Sequence, residues 1–243
     1  MTASPSADLT GAVLRPVRGH HAFEACVEQL ATAIRLGVYP RDTVLPPERE
    51  LAERMSVSRA TLREAIAALR AAGMVQTTRG RGGGTVVLHR PRAPRASAAA
   101  ALKGRTPQLL DALAFRRVVE PGAAELAAER DLDEATQRML RDCLAAVGAA
   151  ESPADHRQCD SRLHLAIATA CGSRLTIAAV TQVQADLHDM LQAIPVLAVN
   201  IDHSNAQHEA IVAAILAGDA RRARRVMSEH CADTAALLRG LLG

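Results

Sequence analysis

Aromatic side chains are almost missing from this chain: there is no Trp, and Phe23, Tyr39 and Phe115 are all that occur. A core must therefore be assembled from Leu, Ile, Val, Met and Ala, which suits closely packed helices and suits sheets poorly. Apolar runs long enough to cross a bilayer, roughly 20 residues, are also missing, and the N-terminus lacks the charged-then-apolar pattern of a signal peptide. A cytoplasmic protein without membrane contact is the expectation. The five cysteines (Cys26, Cys143, Cys159, Cys171 and Cys231) are odd in number and form no Cys-x-x-Cys pair. Reduced, packed thiols follow from that usage.

Charge is present but unevenly placed. The net charge of +3 divides into +6 over residues 1–95 and −3 over residues 96–243. A basic front joined to a mildly acidic rear fits a nucleic-acid-binding module fused to a module of another kind.

Residues 1–16 lack periodicity and read as a loose tail. Phe23, Val27, Leu30 and Ile34 recur at helical spacing, and Gly37 ends that run. Pro46-Pro47 opens a second helix, with Glu48 and Glu50 at the positive end of its dipole. After a Ser56-Val57-Ser58 turn, Ser58 can cap a third helix from Arg59 to about Ala72. Two short strands, Met74–Thr78 and Thr85–Leu88, flank a glycine-rich tip. Residues 17–88 thus predict a winged helix-turn-helix with a small hairpin wing. Residues 89–107, rich in Pro, Ala and Arg, read as a linker. Residues 108–243 are helical in pattern throughout, with six segments near 108–129, 133–147, 154–170, 174–194, 202–217 and 219–241. The fold class expected is mainly α, with an all-α C-terminal bundle of six or seven helices.

On the third helix Arg59, Arg63 and Arg70 fall within about a 40° arc, apart from the arc of Leu62, Ala65, Ile66 and Leu69. A basic ridge beside an apolar stripe can dock in a major groove, where Arg reads guanine in a bidentate way. Arg59 and Arg63, nearest the N-terminal end, are placed for bases. Thr61 suits a phosphate or a base, and Arg49 suits a phosphate. Arg79 and Arg81, in a glycine-rich tip that lets the main chain approach closely, suit a minor-groove or phosphate contact.

The run Leu45-Pro-Pro-Glu-Arg-Glu-Leu-Ala52, then Val57-Ser-Arg-Ala-Thr-Leu-Arg-Glu-Ala65, Gly73-Met-Val75 and Arg79-Gly-Arg-Gly-Gly-Gly-Thr-Val86, resembles the DNA-binding domain of GntR-family transcription regulators. The resemblance implies DNA contacts by Arg49, Arg59 and Arg63 and by the wing tip at Arg79 and Gly80. Ala60 departs from relatives that carry a hydroxyl or another side chain there.

In the rear half, Asp160 and His164 stand four apart, one above the other on a helix face, a spacing that lets both ligate one metal ion. The connection Gly218-Asp219 is short, so the helices it joins should run antiparallel. His208 lies ten residues before this turn and His230 eleven after it, which puts both at about the same height, roughly 15 Å away. Apolar neighbours (Ile211 and Val212; Val226 and Met227) direct both inward. Three His and one Asp converging in a bundle form a divalent-metal site.

Residues 108–238 also resemble the helical ligand-binding FCD domain of the FadR subfamily. Arg116-Arg-Val-Val-Glu-Pro121, Asp160, His164, His208, Ala217-Gly-Asp219 and His230 carry the likeness. It implies zinc, or else nickel or manganese, at Asp160, His164, His208 and His230, and a small carboxylate effector held in part by Arg116. Ala114, Leu163 and Ser173 depart from the usual acidic residue, Phe and Asn, and none is a ligand.

Together these readings predict a homodimeric, effector-responsive regulator, more commonly a repressor, on a palindromic double-stranded operator. Two rivals are a regulator that senses the metal alone and a protein whose metal is purely structural. A metal-dependent hydrolase is the rival from another class. For that rival no second acid or base stands out beside the four ligands, and an enzyme has no need of a basic wing. His156, His188 and His203 read as surface or packing residues, and Arg221-Arg-Ala-Arg-Arg225 as a solvated face or a dimer contact.

Overall fold

A computed structural model of the chain describes residues 9–16, 22–78, 84–89, 104–191 and 198–242. The chain divides into two compact units, one within Leu9–Pro91 and one within Arg92–Gly243. Most described residues are helical, and the only sheet among them is a two-stranded antiparallel hairpin.

The first unit runs α1 (Thr10–Val13), α2 (Ala22–Arg35), α3 (Glu48–Met55), α4 (Arg59–Ala71), β1 (Val75–Thr77) and β2 (Thr85–Val87). Helix α1 corrects the reading of residues 1–16 as a loose tail. Its single turn packs on α2, Leu9, Val13 and Leu14 are buried, and Arg15 N donates to Gln29 Oε1 at 2.7 Å. An apolar set this short leaves no periodicity to detect, and residues 1–8 lie outside the described residues. The buried stripe of α2 also differs from expectation. It runs through Cys26, Leu30, Ala33 and Ile34, whereas Phe23 is 38% exposed.

Helix α3 ends at Ser56, whose φ of 54° is left-handed and whose N–H reaches back to Ala52 O and Glu53 O. Ser58 then caps α4 by accepting from Thr61 N. This sharp turn sets α3 and α2 against the buried side of α4, formed by Leu62, Ala65, Ile66 and Leu69. The hairpin pairs Val75 with Val87 and Thr77 with Thr85. Residues 42–45 line its other edge, which the sequence reading missed. Val44 bridges Val86, Asp42 N donates to Val87 O, and Leu45 N donates to Thr85 O at 2.8 Å.

The second unit contains six helices among the described residues: α5 (Thr106–Ala128), α6 (Glu134–Gly148), α7 (Pro153–Ala170), α8 (Arg174–Leu191), α9 (Ala198–Leu216) and α10 (Ala220–Leu242). Helix α5 is central and packs on α7, α8, α9 and α10. At one end of it Leu109, Ala112, Leu113, Val183, Leu187, Ala235 and Leu238 close an apolar core. Glycines in positive φ, Gly172 (71°) and Gly218 (71°), follow α7 and α9 where breaks were expected. Helix α9 starts at Ala198, earlier than predicted, so Asn200 and Asp202 lie within it. None of the described helices is long and apolar enough to cross a membrane.

Candidate DNA interface and metal centre

In the first unit the burial of Leu62, Ala65 and Leu69 turns the opposite side of α4 outward. Arg59 and Arg63 are exposed there, and Thr61 is half-buried with its hydroxyl 2.9 Å from Ser58 Oγ. Arg63 Nε donates to Glu48 Oε2 at 2.8 Å, and Arg49 Nη1 donates to Glu53 Oε1 at 3.1 Å on a strongly exposed face of α3. Arg79, Gly80 and Arg81 lie outside the described residues.

In the second unit three helices bring four side chains together: Asp160 and His164 from α7, His208 from α9 and His230 from α10. One ligand-type atom from each lies within 4.8 Å of all the others. Ring centroids of His208 and His230 are 4.6 Å apart, and those of His164 and His230 are 5.2 Å apart. The three histidines are buried, while a quarter of the Asp160 side chain is exposed.

Arg116, which sequence reasoning assigned only to an effector, sits at this centre. It is 3% exposed, and its Nη2 lies 3.1 Å from both His164 Nε2 and His230 Nε2. Its Nε donates to Glu120 Oε2 at 2.8 Å, four residues along α5.

The surrounding hydrogen bonds orient the rings. His230 Nδ1 donates to Gln207 Oε1 at 3.0 Å, and His164 Nδ1 lies 3.0 Å from Glu120 Oε2. The Gln207 bond fixes the tautomer of His230, with its Nε2 lone pair directed inward; the His164 Nδ1 contact to Glu120 is close but makes no hydrogen bond. Glu120 is anchored further by Gln184 Nε2 at 2.6 Å and by the Cys231 thiol. Glu120, Gln184 and Gln207 escaped the sequence reading as site residues. Only the position of Glu120, four after Arg116, carried a signal, as an i, i+4 ion pair.

Burial opposes the charge of Glu120, but Arg116 and His164 outweigh it and hold that carboxyl well below the usual range. For Arg116 likewise, burial is outweighed by Glu120, and its pKa is raised. Asp160 is lowered despite burial by His164, His208 and Arg116. His208 is pushed down to about 4 chiefly by burial, and His230 falls well below 6.5 for the same reason. Burial pushes the Cys231 thiol up, so it is a packed thiol and not a nucleophile.

Does this cluster suit a divalent cation? His208 Nε2 is 3.2 Å from Asp160 Oδ1, yet neither ring nitrogen of His208, fully buried, has a hydrogen-bond partner. A buried imidazole left unpartnered costs about 1–3 kcal/mol, a penalty that a coordinated ion removes. Three imidazoles and one carboxylate suit zinc, nickel or manganese. The residues fit.

His156 and His188 fit the packing reading and His203 the surface one. His156 is buried with Nε2 3.1 Å from Asn205 Oδ1, His188 is buried on α8, and His203 is exposed and bonded to Asp233. The basic run on α10 is also partly engaged, with Arg224 paired to Glu125 and Arg225 to Glu229.

A winged helix-turn-helix joined to a helical domain with a buried polar centre defines the class of DNA-binding transcription regulators. Residues 23–87 match the model for bacterial regulatory proteins of the gntR family, and residues 111–233 match the FCD domain. RmpR of Mycobacterium gastri is 31% identical over 211 residues, 85% of this chain and 76% of the relative. The HTH-type transcriptional repressor NanR of Cronobacter sakazakii is 29% identical, over 89% of this chain and 85% of its own. E. coli McbR/YncC shares the fold, with a TM-score of 0.50 at 16% identity over 93% of this chain and 100% of that one. The chain belongs to the GntR family of DNA-binding transcription regulators and carries an FCD domain. It is not an enzyme.

Proposed function

We propose that the chain is a homodimeric repressor whose FCD domain binds a divalent cation and a small carboxylate metabolite, and that the pair modulates binding to a palindromic operator. The cation, zinc first among the candidates, is held by Asp160, His164, His208 and His230. When bound, it supplies a Lewis-acidic attachment point for a carboxylate oxygen. Arg116 binds the effector's carboxylate from beside that point, while Glu120 and Gln207 hold the rings of His164 and His230 in orientation. Arg59 and Arg63 read bases, with Thr61, Arg49 and the wing residues Arg79, Gly80 and Arg81 on bases or phosphates. Repression is favoured by the likeness to NanR, whose name describes a repressor.

One observation carries this reading: four buried or half-buried donors from three helices converge while His208 keeps both nitrogens unpartnered. Effector and operator are then coupled through the arrangement of the helical domain.

The test is direct. Operator sequences are selected from random duplexes, and their affinity is measured by fluorescence anisotropy on zinc-loaded protein with a panel of hydroxy, amino and sugar acids. An acid that weakens operator binding by about 1–3 kcal/mol is expected. His208→Ala should lower the zinc stoichiometry without abolishing operator binding by the effector-free protein. Unchanged zinc content in that variant would overturn the ligand assignment.

A further inference from the structure

The guanidinium of Arg116 stands where a cation would. One nitrogen, Nη2, lies 3.1 Å from His164 Nε2 and 3.1 Å from His230 Nε2. A guanidinium only donates, so both Nε2 atoms accept through their lone pairs, and Nη2 has two hydrogens to give them. Those are the lone pairs a metal ion would use. A lone pair accepts a hydrogen bond or binds a metal ion, not both.

We propose that Arg116 is a built-in stand-in for the metal: the guanidinium and a divalent cation exclude one another at Nε2 of His164 and His230, so loading the site displaces Arg116 from both rings. This rests on the metal reading above. Arg116 satisfies two buried nitrogens and ties α5 to α7 and α10 around a positive charge. On loading, Nη2 loses both acceptors, while Nε keeps its bond to Glu120. A buried guanidinium with vacated donors then needs a new acceptor, and a carboxylate supplies paired oxygens in matching geometry. The cation therefore prepares the anion site before any effector arrives, and metal and carboxylate bind cooperatively.

The experiment is calorimetric titration of zinc alone into chelator-stripped protein. Arg116→Gln removes the competing charge and should bind zinc about tenfold or more tightly than wild type. Because that change leaves Glu120 buried without its cation, a second pair guards against a folding failure: Glu120→Gln against the double variant Arg116→Gln, Glu120→Gln. The same gain is expected across this pair. In wild type, side-chain nitrogen NMR of Arg116 should shift on zinc addition. Equal or weaker zinc affinity in the Arg116→Gln proteins overturns the exclusion while leaving the metal site standing. Zinc uptake by none of the four proteins removes the metal reading and this inference together.

Discussion

Arg63 Nε lies 2.8 Å from Glu48 Oε2, so the middle of α4 is tied to the first turn of α3. Both side chains are substantially exposed, and pairs of that kind contribute about 0–1 kcal/mol. The contact therefore orients the arginine more than it holds the fold.

Arg63→Ala should weaken operator binding by about 1–3 kcal/mol, the cost of losing one bidentate base contact. Thermal unfolding and zinc content should stay at wild-type values. Glu48→Gln, which releases Arg63 and removes an anion near the DNA, should leave stability within about 1 kcal/mol. Unfolded Arg63→Ala protein would show that the residue belongs to the fold and not to the interface.

Ser56 adopts a left-handed φ of 54° at the end of α3. Glycine meets that conformation without a Cβ clash. Ser56→Gly should stabilise the first unit by about 0.5–1 kcal/mol, read as a rise in Tm of its unfolding transition. A lower Tm would show that the Ser56 side chain, not the backbone, dominates at this turn.

Gln207 Oε1 accepts from His230 Nδ1 at 3.0 Å. Removing a partner that orients a ligating imidazole lowers metal affinity about 10–100-fold. Gln207→Ala should show that loss in zinc calorimetry, with helix content by circular dichroism unchanged. Wild-type affinity would mean that packing alone orients the ring.

The pH dependence of the metal-free protein follows from His208, whose pKa is about 4 in the fold against 6.5 ordinarily. Between those values the unfolded chain takes up a proton that the folded chain refuses. Stability is therefore fully present above about pH 6.5 and declines as pH falls toward 4, and His230 acts in the same sense. Thermal melts in chelator from about pH 7 to about pH 5 should show a falling Tm, and His208→Leu should flatten the slope. A flat wild-type profile would refute burial as the cause.

Much of this was legible in the chain. The reading head followed from local signals: Pro46-Pro47, the Ser58 cap and arginines on one arc of α4. The meeting of His208 and His230 followed from counting outward from Gly218-Asp219, because two antiparallel helices share one rise per residue. What stayed hidden was non-local. Residues 42–45 pair with β2 through hydrogen bonds that no local pattern announces. Glu120 reaches Gln184, 64 residues away, and His164 on a third helix. Cys26 displaced Phe23 from the buried stripe because the core chose the arc that faces α4, not the bulkier side chain.

Glu120 joins α5 to α7, α8 and α10 through a single carboxylate. The keystone of the domain and the heart of the proposed metal centre are thus one group of atoms. Under that proposal, any retargeting of the centre toward another metabolite has to begin at its rim, since an exchange at this hub disturbs the packing of four helices in one stroke.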